Sequence, residues 1–232
     1  MAAKPLLIEI GMEELPPKQL KPLMDALGRQ VATQLDALQL PFQDIETFST
    51  PRRLAVRVNA LGSQQADQNI ERKGPSLSAA YDSQGKPSKA LLGFAKSCGI
   101  DELSALQTLE TKKGSWVVYR SSKPGKSLKD LIQAILHQST AKLPIAKKMR
   151  WGFSKDEFVR PVQWLLILHG STILASTLFG KQSDRVTSRH RYMGRKQRAI
   201  DHARNYEAVL GEEKVVVNFE QRRNQIIAQL EL

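Results

Sequence analysis

The stretch Leu6-Leu-Ile-Glu-Ile-Gly11, LLIEIG, decides how the chain begins to fold. It reads as a short, nearly continuous apolar strand from Leu6 to Ile10. Successive side chains point to opposite faces, so Glu9 faces the other way from Ile8 and Ile10. The segment that follows, EELPPKQLKP, is a proline-rich turn. Pro22 predicts a late helix start, because a proline deeper in a helix removes a backbone hydrogen bond. Leu23, Leu27, Val31, Leu35 and Leu38 then recur at three to four residues, one apolar helix face, and Pro41 ends it. DIETFSTPRRLAVRVNAL predicts two strands around a Ser-Thr-Pro turn.

From Gly74 to Leu143 the character changes. A turn-rich stretch leads to a short helix capped by Ser88 and closed by Gly99. LQTLETKKGSWVVYRSS predicts a hairpin turning at Lys113-Gly114. Ser127 then caps an amphipathic helix with Leu128, Leu131, Ile132, Ile135 and Leu136 on its apolar face. Beyond it, VQWLLILHG and TILASTLFG predict two strands joined at Gly170-Ser171. KQSDRVTSRHRYMGRKQR has no helical period and reads as a loop or irregular strand. A helix starting from Asp201, a buried strand KVVVNF and a helix capped by Asn218 complete the series. The last amphipathic pattern runs to the end of the sequence without a C-cap, which predicts a chain truncated from a longer protein. Helices and strands mix without regular alternation, so the predicted class is α+β.

Charge is the strongest compositional signal. The 232 residues carry a net +12, and half of that excess lies between Lys181 and Arg204. A cluster this dense favours a polyanion, and nucleic acid is the commonest one. No apolar run approaches the roughly 20 residues of a membrane span, and the start lacks the features of a signal peptide. A single cysteine, Cys98, builds no disulfide framework. The expectation is a soluble cytoplasmic protein without a membrane partner.

Catalytic signatures are missing from the sequence. There is no phosphate-binding glycine loop and no nucleophile elbow. His137, His169, His190 and His202 are scattered, without metal-ligand spacing. Glu13-Glu14 is better explained by turn anchoring than by paired acid and base. No catalytic, cofactor-binding or metal-binding residue is assigned. The informative residues are arginines near aromatic rings: Arg52 and Arg53 after a proline turn, Arg150-Trp151, Phe158-Val159-Arg160, and Arg189-His190-Arg191-Tyr192. Guanidinium groups bind phosphate in a bidentate fork, and aromatic faces stack on unpaired bases. For Arg150 and Arg160 an internal role, organising a turn with Trp151, Asp156 or Glu157, stays open beside an RNA role. For Arg189, Arg191, Arg195, Lys196 and Arg198, five cations within ten residues exceed what local acids can neutralise.

Five ordered motifs, LLIEIGMEELPPKQL, TPRRLAV, KGPS, KKMRWG with FVRPVQWL, and TSRHRYMG, span essentially the whole chain. Together they resemble the N-terminal part of the beta subunit of bacterial glycyl-tRNA synthetase. Met12 stands where that family usually has threonine, and Arg189 where it usually has glycine. The resemblance implies an assembly of two alpha and two beta subunits that joins glycine to its tRNA. ATP and magnesium would be used through the alpha subunit, with no cofactor in this part of beta. It also implies a mixed sheet with packed helices, similar to the editing-type domain of the phenylalanyl-tRNA synthetase beta subunit. That domain would comprise residues 1–72 and 144–232, with an inserted α/β subdomain at 73–143.

The expected role is non-catalytic: tRNA recognition and subunit organisation within glycine–tRNA ligase, an aminoacyl-tRNA synthetase, the chain alone being inactive. The candidate tRNA contacts are Arg185, Arg189, His190, Arg191, Arg195, Lys196 and Arg198, with Arg150, Arg160, Arg52 and Arg53. The alternatives are a pure docking module for the alpha subunit and a vestigial editing hydrolase.

Overall fold

The computed structural model describes residues 3–82, 85–100, 102–111, 114–193 and 197–231. The chain divides into a larger unit, Met1–Gln65 with Lys126–Leu232, and a smaller one, Ala66–Gly125. The smaller unit therefore starts and ends earlier than the expected 73–143. The difference at its far end is the helix Leu128–Ala141, which buries its apolar face in the core of the larger unit.

The larger unit is built on a mixed sheet. Its main elements are β1 (Lys4–Met12), α1 (Pro17–Ala37), β2 (Ile45–Thr50), β3 (Arg53–Leu61), α2 (Leu128–Ala141), β4 (Val162–His169), β5 (Lys181–Asp184), α3 (Tyr206–Glu212) and α4 (Phe219–Leu230). The strand order is Thr177–Leu178, β5, β4, β1, β3, β2, with Thr172–Ile173 also paired to β4. β1 is central and antiparallel to both neighbours, whereas β5 runs parallel to β4. Helices and strands thus form an α+β architecture around a mixed sheet.

Both faces of the sheet are covered, which explains why β1 reads as a continuous apolar run. On one face Leu6, Ile8 and Ile10 join Leu54, Val56, Val58, Leu165 and Ile167 beneath α1 and α2. On the other, Leu7, Ala55, Phe48, Leu166 and Leu168 pack against Ile200, Tyr206, Leu210, Val215 and Val217. Each large side chain removed from water contributes about 1.5–3 kcal/mol before the entropy of ordering it is subtracted.

Several local expectations differ: TILASTLFG splits into the short strands Thr172–Ile173 and Thr177–Leu178, and His202, not Asp201, caps a 3-10 turn, Ala203–Asn205, ahead of α3. α1 starts at Pro17 and carries Pro22 inside it. The hydrogen bond missing at Pro22 is outweighed by burial of Leu20, Leu23, Met24 and Leu27 on the sheet. The segment 214–218 is not a strand: Lys214 has φ +60°, and the Val217 carbonyl accepts one bond, from the Ser49 amide at 3.1 Å. Val215 and Val217 are buried nonetheless, as plugs over the second face.

Glu9 sits in the middle of that second face with no exposed surface. Its carboxyl accepts hydrogen bonds from the Trp164 indole, from the Thr187 hydroxyl at 2.5 Å and from the Tyr206 phenol. Arg53, 2% exposed, completes the group at 3.7 Å. The same guanidinium reaches Thr187 Oγ1 at 3.4 Å and donates to the Ser188 carbonyl at 2.7 Å. Burial first, and the Glu9 charge second, push the Tyr206 phenol well above its ordinary 10, so it remains a donor. Gly11 belongs to this cluster by its lack of a side chain. A Cβ there would lie 1.8 Å from the Trp164 ring, which lies flat across the strand.

The smaller unit has its own three-stranded antiparallel sheet, Gln68–Ser76, Gly114–Lys123 and Leu106–Thr111, in that order. The helix Lys89–Cys98 is capped by the Ser88 hydroxyl on the Leu91 amide and closed by Gly99 at φ +71°. Ala80, Leu91 and Val117 form its small core.

Replacing Glu9 with alanine strands the Arg53 charge in the core and is expected to cost about 3–5 kcal/mol, read as a urea midpoint shift. Adding Arg53→Leu to that variant should recover part of the loss, because the orphaned charge is then gone. His169, at the end of β4, is buried, and burial chiefly lowers its pKa below the ordinary 6.5. The unfolded chain then takes up the proton first as pH falls, so stability present above about pH 6.5 is lost below it. Urea midpoints should fall between about pH 7.5 and 5.5, and His169→Gln should flatten that dependence.

Candidate nucleic-acid interface

Three loops meet at one end of β1. The turn Thr50-Pro51-Arg52 joins β2 to β3. The Glu13-Glu14-Leu15 segment leaves β1 and is clamped on both sides. The Met12 and Leu15 amides donate to the Arg52 and Pro51 carbonyls at 2.9 and 2.6 Å, and the Glu13 amide donates to Pro161 at 3.0 Å. The third loop, Ser188 to Met193, is tethered through Ser188 to the buried Arg53.

Between these loops lies a cleft of about 250 Å³, lined by Glu14, Arg52, Arg53, Arg189, His190, Arg191 and Tyr192, among others. Arg53 forms its floor. Its guanidinium is committed to Glu9, Thr187 and Ser188, and only 2% of the residue is exposed, so it supports the cleft from beneath. Arg52 rises beside it over the Trp164 ring, 5.8 Å from its centre, and its buried Nε has no hydrogen-bond partner. The shared indole thus carries both arginines, Arg53 at 5.7 Å.

The outer wall is the Arg189-His190-Arg191-Tyr192 loop. His190 Nδ1 accepts from the amides of Tyr192 at 3.2 Å and Met193 at 3.1 Å, which leaves the proton on Nε2. Arg189 curls over the loop toward the carbonyls of His190 at 3.1 Å and Arg191 at 3.5 Å. Arg191 pairs with Glu14 at 2.6 Å, both half exposed. That partner, by hydrogen bond and then by charge, raises the Arg191 pKa. The Glu14 main-chain amide first, then Arg191, hold the Glu14 carboxyl below its ordinary 4.5. Tyr192 presents its ring to solvent, 83% exposed, 6.0 Å from the Arg191 guanidinium and 6.3 Å from the His190 ring.

The remaining candidates separate. Arg160 lies behind the same acidic turn, donating to the Glu14 carbonyl at 2.9 Å, and lines a second groove of about 440 Å³ with Lys147, Met149 and Gln19. Arg150 pairs with Glu157 at 3.1 Å across a short hairpin, the internal role the sequence left open. Arg185 donates to the Ser171 carbonyl at 3.1 Å, and Arg198 pairs with Glu212 at 2.9 Å. Arg195 and Lys196 lie outside the described residues. The structure therefore brings Arg52, Arg53, Arg189, His190 and Arg191 together and leaves Arg150, Arg185 and Arg198 with their own partners.

Two contributions to the site were not read from the sequence. Glu14 neutralises one cation of the cleft, and the Glu9, Trp164 and Tyr206 group holds its floor. The only sequence signal of the second is an acid inside an apolar strand. Among the described residues no group of three or more His, Cys, Asp or Glu side chains could hold a metal ion. No helix among them is long and apolar enough to cross a membrane.

Residues 6–232 match the family model described as glycyl-tRNA synthetase beta subunit. The chain is 44% identical over 232 residues to the glycine–tRNA ligase beta subunit of Enterobacter sp. (strain 638), covering all of this chain and 34% of that protein. It is 41% identical over 231 residues to that of Pseudoalteromonas translucida, covering all of this chain and 33% of the relative. With that of Marinobacter nauticus it shares 42% identity over 229 residues, 98% of this chain and 33% of the other. The chain thus spans about a third of the length of the curated relatives it matches. It belongs to the glycyl-tRNA synthetase beta subunit family.

Proposed function

We propose that this chain is a non-catalytic, tRNA-contacting and subunit-organising part of glycine–tRNA ligase. In that assembly, two alpha and two beta subunits, ATP and magnesium are used through alpha. The fold of the larger unit would be of the type found in the editing domain of the phenylalanyl-tRNA synthetase beta subunit. The observation that carries the reading is the convergence of Arg52, Arg189 and Arg191 with His190 and Tyr192 on one cleft. Arginine forks suit phosphate oxygens, and an exposed ring beside them suits a base or ribose face. The neutralising Glu14 fits a site where phosphate takes over a cation already held in position. An arginine so held loses less side-chain freedom on binding.

A second reading, docking of another protein segment, rests on α4. No residue of that helix is buried, and Ile226, Ile227 and Leu230 are 51%, 41% and 81% exposed.

The readings part in a tRNA-binding series over salt concentration. The chain should bind a glycine-accepting tRNA with a log–log salt slope that reports how many phosphates it neutralises. The triple replacement of Arg52, Arg189 and Arg191 by alanine should lower affinity at least tenfold. It should also shallow the slope by about one unit for each phosphate left without its arginine. An unchanged slope would remove the cleft from the interface, and no tRNA binding at all would favour docking.

A further inference from the structure

The stretch Lys147 to Phe158 holds a feature that the cleft does not absorb. Met149–Arg150 and Glu157–Phe158 pair as a two-stranded hairpin, with Met149 opposite Phe158 and Arg150 opposite Glu157. Its base is anchored. Phe158 is 1% exposed and stacks obliquely on Phe179 at 4.6 Å, and Trp151 meets the same ring edge-on at 6.2 Å. The Arg150–Glu157 pair closes the neck, and the Ser154 hydroxyl accepts from the Asp156 amide at 3.2 Å inside the turn. Gly152 turns the chain at φ +60°, a conformation that glycine takes without strain.

This braced turn presents Phe153 fully to solvent. An unsupported loop would expose a phenylalanine only in passing, because the ring would fold back onto apolar surface. Here the turn geometry holds it out. Lys155 is exposed in the same turn and Lys147 and Lys148 are exposed where the chain enters the hairpin, and among the described residues none of the three is in an ion pair. The groove at the hairpin's foot, with Lys147 and Arg160, adjoins the Glu14 turn, whose other side is the arginine cleft. A bare aromatic face on a hairpin that also carries exposed lysines is the chemistry of single-stranded nucleic-acid contact: the lysines attract phosphates and the ring stacks on a base. A protein-docking patch would instead present several apolar neighbours and fewer lysines.

We propose that Phe153 is a stacking platform for an unpaired RNA base, a second contact separate from the phosphate cleft. It rests on the reading of this family member as an RNA-binding chain. Stacking tolerates any base, so this contact selects single-stranded RNA over duplex without reading sequence.

The test uses the 232-residue chain with a 12-nucleotide single-stranded RNA, a duplex of the same length and the tRNA. Phe153→Ala should weaken binding of the single strand about 5- to 100-fold and leave the salt slope and duplex binding unchanged. Phe153→Trp should restore affinity, with quenching of the new indole on RNA addition. Phe153→Leu should behave like alanine, since it keeps apolar surface but removes the ring. The ring is fully exposed, so thermal unfolding should be the same for all variants. Unchanged affinity in Phe153→Ala, or full affinity in Phe153→Leu, would overturn the stacking role. If the triple arginine variant leaves binding intact while Phe153→Ala weakens it, the cleft reading fails and this one stands. Absence of binding to any of the three RNAs would overturn both.

Discussion

One buried carboxyl organises the larger unit. Glu9 draws donors from β3, β4, the segment after β5 and the start of α3, so five stretches distant in sequence meet at one acceptor pair. A carboxyl in a water-free core is unfavourable unless its oxygens are satisfied, and here each is. That requirement constrains the rest. Gly11 must stay bare so the indole can lie across the strand, and Arg53 must stay inside. The loop after Thr187 must start where Arg53 can hold the Ser188 carbonyl.

The cleft follows from this arrangement. The side of Trp164 that binds Glu9 is committed to the core, and its ring carries Arg52 and Arg53 at nearly equal distance. Consecutive arginines after a proline turn thereby split in role. Arg53, the first residue of β3, is the internal strut held by Glu9, Thr187 and Ser188, whereas Arg52, in the turn before it, keeps its guanidinium over the indole beside the cleft. The acidic turn after β1 is the matching wall. Its main chain is held by the 50–53 turn and by Pro161, and its Glu14 side chain holds Arg191. Main-chain bonds thus fix the acidic wall of the cleft, and the Arg53–Ser188 and Arg191–Glu14 bonds place the wall opposite.

Most of the architecture was legible in the sequence because periodicity and caps are local. Ser88, Ser127 and Asn218 cap the helices they were expected to cap, each with a hydrogen bond to the amide three residues on. The helix start at Pro17 is not legible in the sequence, because the prolyl penalty is local and the compensating burial is not. The 214–218 segment departs from its strand-like pattern for the converse reason. Its apolar residues match a strand, but what buries them is plugging into the sheet face and not pairing along an edge. For the candidate site, the arginine-rich loop was evident from charge alone. The Arg150–Glu157 pair was one of two readings that the sequence left open, whereas the partners of Arg185 and Arg198, each 14 residues away along the chain, carry no local signal.

The sequence by itself determined the element types, the basic loop and the five motifs whose order points to the family, because each is carried by neighbours along the chain. The tertiary structure alone decided which cations share a cleft and which are spent internally. It also turned Glu9, an acid on the far side of a strand, into the anchor of that cleft. The physical reason is the same in both cases. A charge is assigned its role by the partners that replace its water: for Glu9 and Arg191 these come from segments more than a hundred residues away, whereas Arg150, Arg185 and Arg198 find theirs within 14 residues.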